Sequence, residues 1–177
     1  MINRVLLLLL LMGGQVQAAI QPRGLEEIKA VQFASSRVIT AGQPSAEQFP
    51  RLKASGVDLV INLIPAGNAS GLANEAELVA AAGMSYAHIG VDWNAPSNED
   101  LARFLAVMDA NQDKDVLIHC AANYRASAFY YLYLLHTGAS DSDTLQRKAM
   151  APWGDLEEGF KTYPQWHKLI EEAKRAR

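Results

Sequence analysis

One stretch limits the fold of this chain more than any other. VDLVINLI, from Val57 to Ile64, is apolar at nearly every position and rich in branched residues, and DVLIH, from Asp115 to His119, repeats the pattern in shorter form. A strand with one wet face alternates apolar and polar side chains, whereas a strand covered on both faces reads as a continuous apolar run. Between the two runs lie NEAELVAAAG, which ends at Gly83, a third strand-like segment MSYAHIGV, and LARFLAVMDAN. Ser97 and Asp100 form a capping box at the start of that last helix. Upstream, LEEIKAVQFASS has helical spacing, RVITAGQP is a short extended run, and Ser45 opens a helix over AEQFPRLKASG that Gly56 stops. Downstream, ASAFYYLYLLHTG, SDSDTLQRKAM and YPQWHKLIEEAKRAR predict three more helices, with Gly138 ending the first and Ser140 and Thr162 capping the others. Strands alternating with helices demand right-handed crossovers. The expected fold class is therefore α/β, a mainly parallel central sheet with helices on both faces.

The 177 residues are 50% hydrophobic with no repeat, which predicts one domain with a sizeable core. The leading MINRVLLLLLLMGGQVQAA joins a lone Arg4 to an apolar run from Val5 to Met12 and a small-residue tail at Val16–Ala18. Its apolar run falls well short of the roughly 18 residues that span a bilayer. Residues 1–19 are thus expected to be a cleavable signal peptide and 20–177 the mature domain, periplasmic or secreted and free of the membrane after cleavage. The formal net charge of −3 and the absence of a basic block speak against a nucleic-acid partner, KRAR being a solvated helix end. No sequence feature sets the oligomeric state.

Cys120 is the only cysteine, so no intramolecular disulfide is available to it. It is either a small buried hydrophobe or a reactive thiol, and its surroundings, VLIHCAANYRAS, favour the second. A loop that leaves a buried strand and enters a helix presents backbone N–H groups and the positive end of a helix dipole, which hold an oxyanion and stabilise a thiolate. Cys120 then serves as nucleophile and Arg125 as a planar fork for two phosphate oxygens. Asn123 suits a position of positive φ, and the Ser127 hydroxyl could donate to the sulfur. The expected cradle is Ala121, Ala122, Asn123, Tyr124, Arg125 and Ser127. His119 and Cys120 point to opposite faces of a strand, a poor nucleophile–base pair. His119 is expected beneath the loop bonding backbone, or as a satisfied core histidine. The four histidines lack metal-ligand spacing with Cys120, so neither metal nor cofactor is expected. The run FYYLY (129–133) reads as core, Trp153 as packing, and Trp93 as a cleft wall.

HCAANYRAS after VLI, with ITAGQPSAEQFPRLKASGVDLVINL, GMSYAHIGVDW and SNEDLARFLAVMD in that order, resembles the dual-specificity side of the protein tyrosine phosphatase superfamily. It is most similar to the small bacterial phosphatase-like domains also found in beta-lactamase-hydrolase-like proteins. The resemblance runs through the mature chain to about Gly138. It implies a phosphatase-like architecture and a cysteine-dependent phosphoric monoester hydrolase working through a thiophosphate intermediate on a phosphorylated small molecule or protein. It also implies a general acid on the loop after YAHIGV, where Asp92 stands, with Asn94 and Glu99 as weaker substitutes. That family keeps five residues between cysteine and arginine. Here there are four, so Ala126 falls where the arginine is expected and the loop is tighter. Two alternatives follow: a rhodanese-like sulfurtransferase, which uses such a tight loop, and a catalytically weak domain that binds phosphorylated ligands.

Overall fold

The computed structural model describes residues 19–176, so the expected signal peptide lies, except for Ala19, outside the described residues. Five strands form one sheet: β1 (Gln32–Phe33), β2 (Val38–Ala41), β3 (Leu59–Asn62), β4 (Ser85–His88) and β5 (Val116–His119), in the order β1-β2-β5-β3-β4. β2, β5, β3 and β4 run parallel, and β1 pairs antiparallel with β2. Seven α-helices lie among the described residues: α1 (Phe49–Ala54), α2 (Glu75–Ala81), α3 (Asn98–Asp109), α4 (Tyr124–His136), α5 (Asp143–Ala149), α6 (Leu156–Thr162) and α7 (Pro164–Arg175).

The continuous apolar runs occupy the middle of the sheet. β3 and β5 are buried at all four positions each, and their side chains divide between two cores. Leu59, Ile61, Val116 and Ile118 pack with α3, α4 and α7 on one face. Val60 and Leu117 pack with Phe49 and Leu52 of α1 and Val79 of α2 on the other. Right-handed crossovers explain the division. The chain steps from β2 through α1 to β3 and through α2 to β4, then reverses through α3 to insert β5 between β2 and β3, which sends α3 and α4 to the opposite face. Phe104 of α3 meets Phe129 of α4 with ring centroids 5.4 Å apart, both fully buried, and cutting either to Ala would cost about 3–5 kcal/mol.

Several expectations at element ends are corrected. LEEIKAVQFASS is not a helix. Leu25 and Ile28 do share one buried face, but they are joined by successive turns in which Ile28 N–H bonds Leu25 O and Val31 N–H bonds Ile28 O. Ala30 then takes φ 48, and Gln32 and Phe33 leave to pair with β2. Sheet pairing prevails over helical spacing there. α5 is capped by Ser142, whose Oγ accepts from Leu145 N–H, rather than by Ser140. Thr162 closes α6 instead of capping α7, which starts on Pro164. α6 itself escaped the sequence reading, although Asp155 caps it by accepting from the N–H groups of Glu157 and Glu158. The Ser97–Asp100 box forms as expected, with both bonds at 3.1 Å.

Candidate active site

β5 ends between two partners that fix where the loop begins. His119 O accepts from Leu63 N–H at 2.9 Å, and Cys120 N–H donates to Ala41 O at 3.1 Å. Cys120 is buried, at 1% exposure. The chain then turns through Ala121, Ala122 and Asn123 into α4. Asn123 sits at φ 68, ψ 1, the left-handed region that Asn tolerates better than most residues. Its Nδ2 donates to Ala30 O at 2.7 Å and to Thr40 Oγ1 at 3.1 Å, so the loop is tied to β2 and to the N-terminal turn. No side chain caps α4. The amides of Tyr124, Arg125 and Ala126 therefore stand at the positive end of the helix without an intrahelical acceptor.

Gly42 lets the loop come this close. Its N–H donates to Lys29 O at 2.7 Å, and it forms a bridge with Ala122. A Cβ there would stand 2.9 Å from Lys29 O, closer than a backbone atom allows, and 3.1 Å from Ala121 O, a tight contact.

Arg125 is only 8% exposed and packs its guanidinium over Trp93, 5.4 Å from the ring centroid. Its Nε is buried without a hydrogen-bond partner, and among the described residues it forms no ion pair. An aromatic face, and no carboxylate, keeps the cation at the loop, which leaves its planar N–H fork for an anion. Trp93 is itself pinned, its carbonyl accepting from Trp166 Nε1 at 3.0 Å and Gln165 Nε2 at 3.1 Å. The rings of Tyr124, Trp153, Tyr163 and Trp166 surround it. Trp153 has the expected packing role, with Nε1 donating to Tyr124 O. The contribution of α7 to this wall went unseen in the sequence, because Trp166 lies 73 residues from Trp93 and no local signal joins them.

Ser127 is corrected. Its hydroxyl donates to Asn123 O at 2.6 Å and also lies within bonding distance of Tyr124 O, so its proton braces the first turn of α4 and does not reach the sulfur. Asp92 is exposed, and its Oδ1 accepts from Asn94 N–H at 2.9 Å, an Asx turn within its own loop. Asn94 and Glu99 are exposed too, Glu99 in the first turn of α3.

His119 lies beneath the loop, but its partner is a side chain that the sequence reading missed. Nε2 donates to Glu75 Oε1 at 2.8 Å, with His119 fully buried and Glu75 at 2% exposure. Gln43 Nε2 donates to the other carboxylate oxygen at 2.7 Å. Burial pushes the Glu75 carboxyl up, but the bonds from His119, Gln43 and Tyr86, with the attraction of the imidazole, outweigh it and hold the pKa below its usual value. Burial also pushes Tyr86 up to about 12, against a hydrogen bond from Asn62 and with the help of Glu75. Glu75 and Tyr86 further line a cleft of about 470 Å³ at the carboxyl ends of β3 and β4. Among the described residues no group of three or more His, Cys, Asp or Glu is placed to hold a metal.

A loop of this build at the carboxyl edge of a parallel sheet is where such folds bind ligands. Residues 35–139 match the profile of the family described as "Polymorphic toxin system, DSP-PTPase phosphatase" (Tc-R-P). The chain belongs to this DSP-PTPase phosphatase family. The structure of a DUF442 protein from Shewanella putrefaciens CN-32 is 41% identical, with a TM-score of 0.79 over 88% of this chain and 96% of its own. The beta-lactamase hydrolase-like protein of Agrobacterium fabrum is 34% identical over 108 residues, 59% of this chain and 25% of that one. The chain thus matches a quarter of that curated relative's length. TpbA of P. aeruginosa shares the fold, with a TM-score of 0.64 at 14% identity over 92% of this chain and 97% of its own. As a member of the DSP-PTPase phosphatase family, the chain is a phosphatase-like domain, and all six expected cradle residues lie on the turn from β5 into α4 or in the first turn of that helix.

Proposed function

We propose that this protein hydrolyses phosphate monoesters through a covalent intermediate on Cys120. The Cys120 thiolate attacks phosphorus, forming the S–P bond as the bond to the leaving oxygen breaks. Asp92 gives that oxygen its proton. Water then attacks the thiophosphate, surrenders a proton to the Asp92 carboxylate and releases inorganic phosphate with the thiolate restored. Arg125 and the free amides of the first turn of α4 hold the equatorial oxygens, where charge accumulates in the transition state.

The observation that carries this reading is the state of Arg125, which is retained at the loop by Trp93 and, among the described residues, bound to no carboxylate. The tight four-residue spacing does not turn it into bulk solvent. The test is turnover of p-nitrophenyl phosphate by the mature protein beside Cys120→Ser, Arg125→Ala and Asp92→Asn. Loss of turnover in Cys120→Ser supports the mechanism, and turnover unaffected by it removes the mechanism.

One observation favours a second reading, a domain that binds phosphorylated ligands with little turnover: the Asp92 carboxylate is already engaged by Asn94 N–H. Absent turnover in the parent chain, with phosphate binding retained, is its signature. Family membership favours phosphoryl over persulfide chemistry, and a parallel assay for thiocyanate formation from thiosulfate tests the sulfurtransferase alternative. The leader-like residues 1–19 extend the proposal to an exported enzyme acting on phosphorylated molecules outside the cytoplasm, testable by the mass of the protein recovered from the periplasmic fraction.

A further inference from the structure

The N-terminal turn at Lys29 and Ala30 lies in no element of the sheet, yet it is bound to the phosphate loop through Asn123 and, beside that loop, to Gly42 at the end of β2. Gly42 N–H donates to Lys29 O at 2.7 Å, and Asn123 Nδ2 donates to Ala30 O at 2.7 Å. To present both carbonyls Ala30 takes φ 48, a conformation that costs a non-glycine residue on the order of 1 kcal/mol and persists only where the surroundings enforce it. The stem of Lys29 is part of the same contact. A point one Cβ out from Gly42 is 3.0 Å from Lys29 Cγ and 3.1 Å from Ala121 O, so the lysine stem and the residue after Cys120 flank the same spot. Lys29 is exposed and, like Lys114 and Lys148, forms no ion pair among the described residues.

We propose that the Lys29–Ala30 turn is a wall of the phosphate site and that the Lys29 ammonium recognises a second anionic group on the ligand. The preferred class is then a phosphate monoester with another phosphate or a carboxylate close to the scissile group. The inference rests on the phosphatase reading for its substrate but not for its binding. An ammonium on a flexible stem suits this task, since it donates to acceptors at varied positions without the fixed geometry of a guanidinium. Arg125 and the helix amides serve the first anion, and the lysine at the rim serves the second.

The test measures affinities of the whole protein for inorganic phosphate, methylenediphosphonate and phosphonoacetate by calorimetry, in the parent and in Lys29→Met, which keeps the stem and removes the charge. The parent is expected to prefer both diacids to phosphate, and Lys29→Met to lower that preference roughly fivefold, as for an ion pair at a partly exposed rim. Loss for methylenediphosphonate alone would assign the second group as phosphate, and loss for phosphonoacetate alone as carboxylate. A preference that Lys29→Met leaves unchanged overturns the inference, and so does a parent with no preference. Aryl phosphate assays on the same samples separate the two claims. Diacid selectivity without turnover removes the phosphatase reading and leaves this one standing, whereas turnover with unaltered selectivity does the reverse. Failure of all three ligands to bind removes both.

Discussion

His119 Nε2 and Glu75 Oε1 lie 2.8 Å apart where neither side chain meets solvent, and the pair joins the start of α2 to the residue before Cys120. A buried histidine–carboxylate bond is weak support for net stability, because desolvation offsets most of the attraction, but removing one partner leaves the other orphaned. Glu75→Ala is expected to destabilise the protein by about 3 kcal/mol. Urea unfolding checks this as a fall in midpoint at constant slope. A variant within a few tenths of a kcal/mol of the parent would show that the pair is replaced by water.

The same pair sets an acid limit. The folded-state pKa of Glu75 is depressed below its ordinary value of 4.5, so its contribution is fully present above that value and is lost as pH falls through the lower folded pKa. Unfolding midpoints of the parent should therefore drop below pH 4.5 more steeply than those of Glu75→Gln. Parallel curves would rule out Glu75 as the group responsible.

Tyr86, held neutral to about 12 by burial beside Glu75, titrates late. Because its folded pKa is raised, the stability it carries is present below the ordinary value of 10.0 and is lost as pH climbs toward 12. Difference titration of parent against Tyr86→Phe at the phenolate absorption band should show the missing group ionising near 12.

Asn123 combines a left-handed backbone with two donated bonds, and paired variants separate the two contributions. Asn123→Gly keeps the backbone but orphans the Ala30 carbonyl, at a cost of about 1–2 kcal/mol. Asn123→Ala adds the left-handed penalty of about 1 kcal/mol. Equal losses in the two would mean that φ contributes nothing.

Trp93 carries Arg125 on its face. Trp93→Ala should weaken binding of inorganic phosphate about tenfold by freeing the guanidinium, while Trp93→Phe should recover part of it. Melting temperatures measured alongside guard against a merely loosened fold.

The expected loop was readable in the sequence because its signals are local. A buried strand, one thiol, an Asn at the turn and an arginine at the helix start stand within ten residues, and each is fixed by backbone geometry at that point. The alternation of strands and helices from β2 to α4 was readable for the same reason, since period and punctuation belong to neighbouring residues. The fate of LEEIKAVQFASS was not, because Gln32 and Phe33 leave the helical pattern to pair with Thr40 and Ile39 of β2. Nor could the partner of His119 be inferred, since Glu75 reads as an ordinary charge in the first turn of a helix until the crossovers bring β5 beside β3.

What the sequence determined by itself is thus everything that nearest neighbours along the chain decide: the sheet's buried centre, the helix start marked by Ser97, and the cysteine at a strand's end. Tertiary structure alone decided which distant groups meet around the loop, with Trp93 under Arg125, Trp166 bonded to Trp93, Glu75 bonded to His119, and Lys29 with Ala30 beside the loop. The physical reason is that a hydrogen bond or a ring contact depends on closeness in space, and closeness between remote residues is set only when both faces of the sheet are covered.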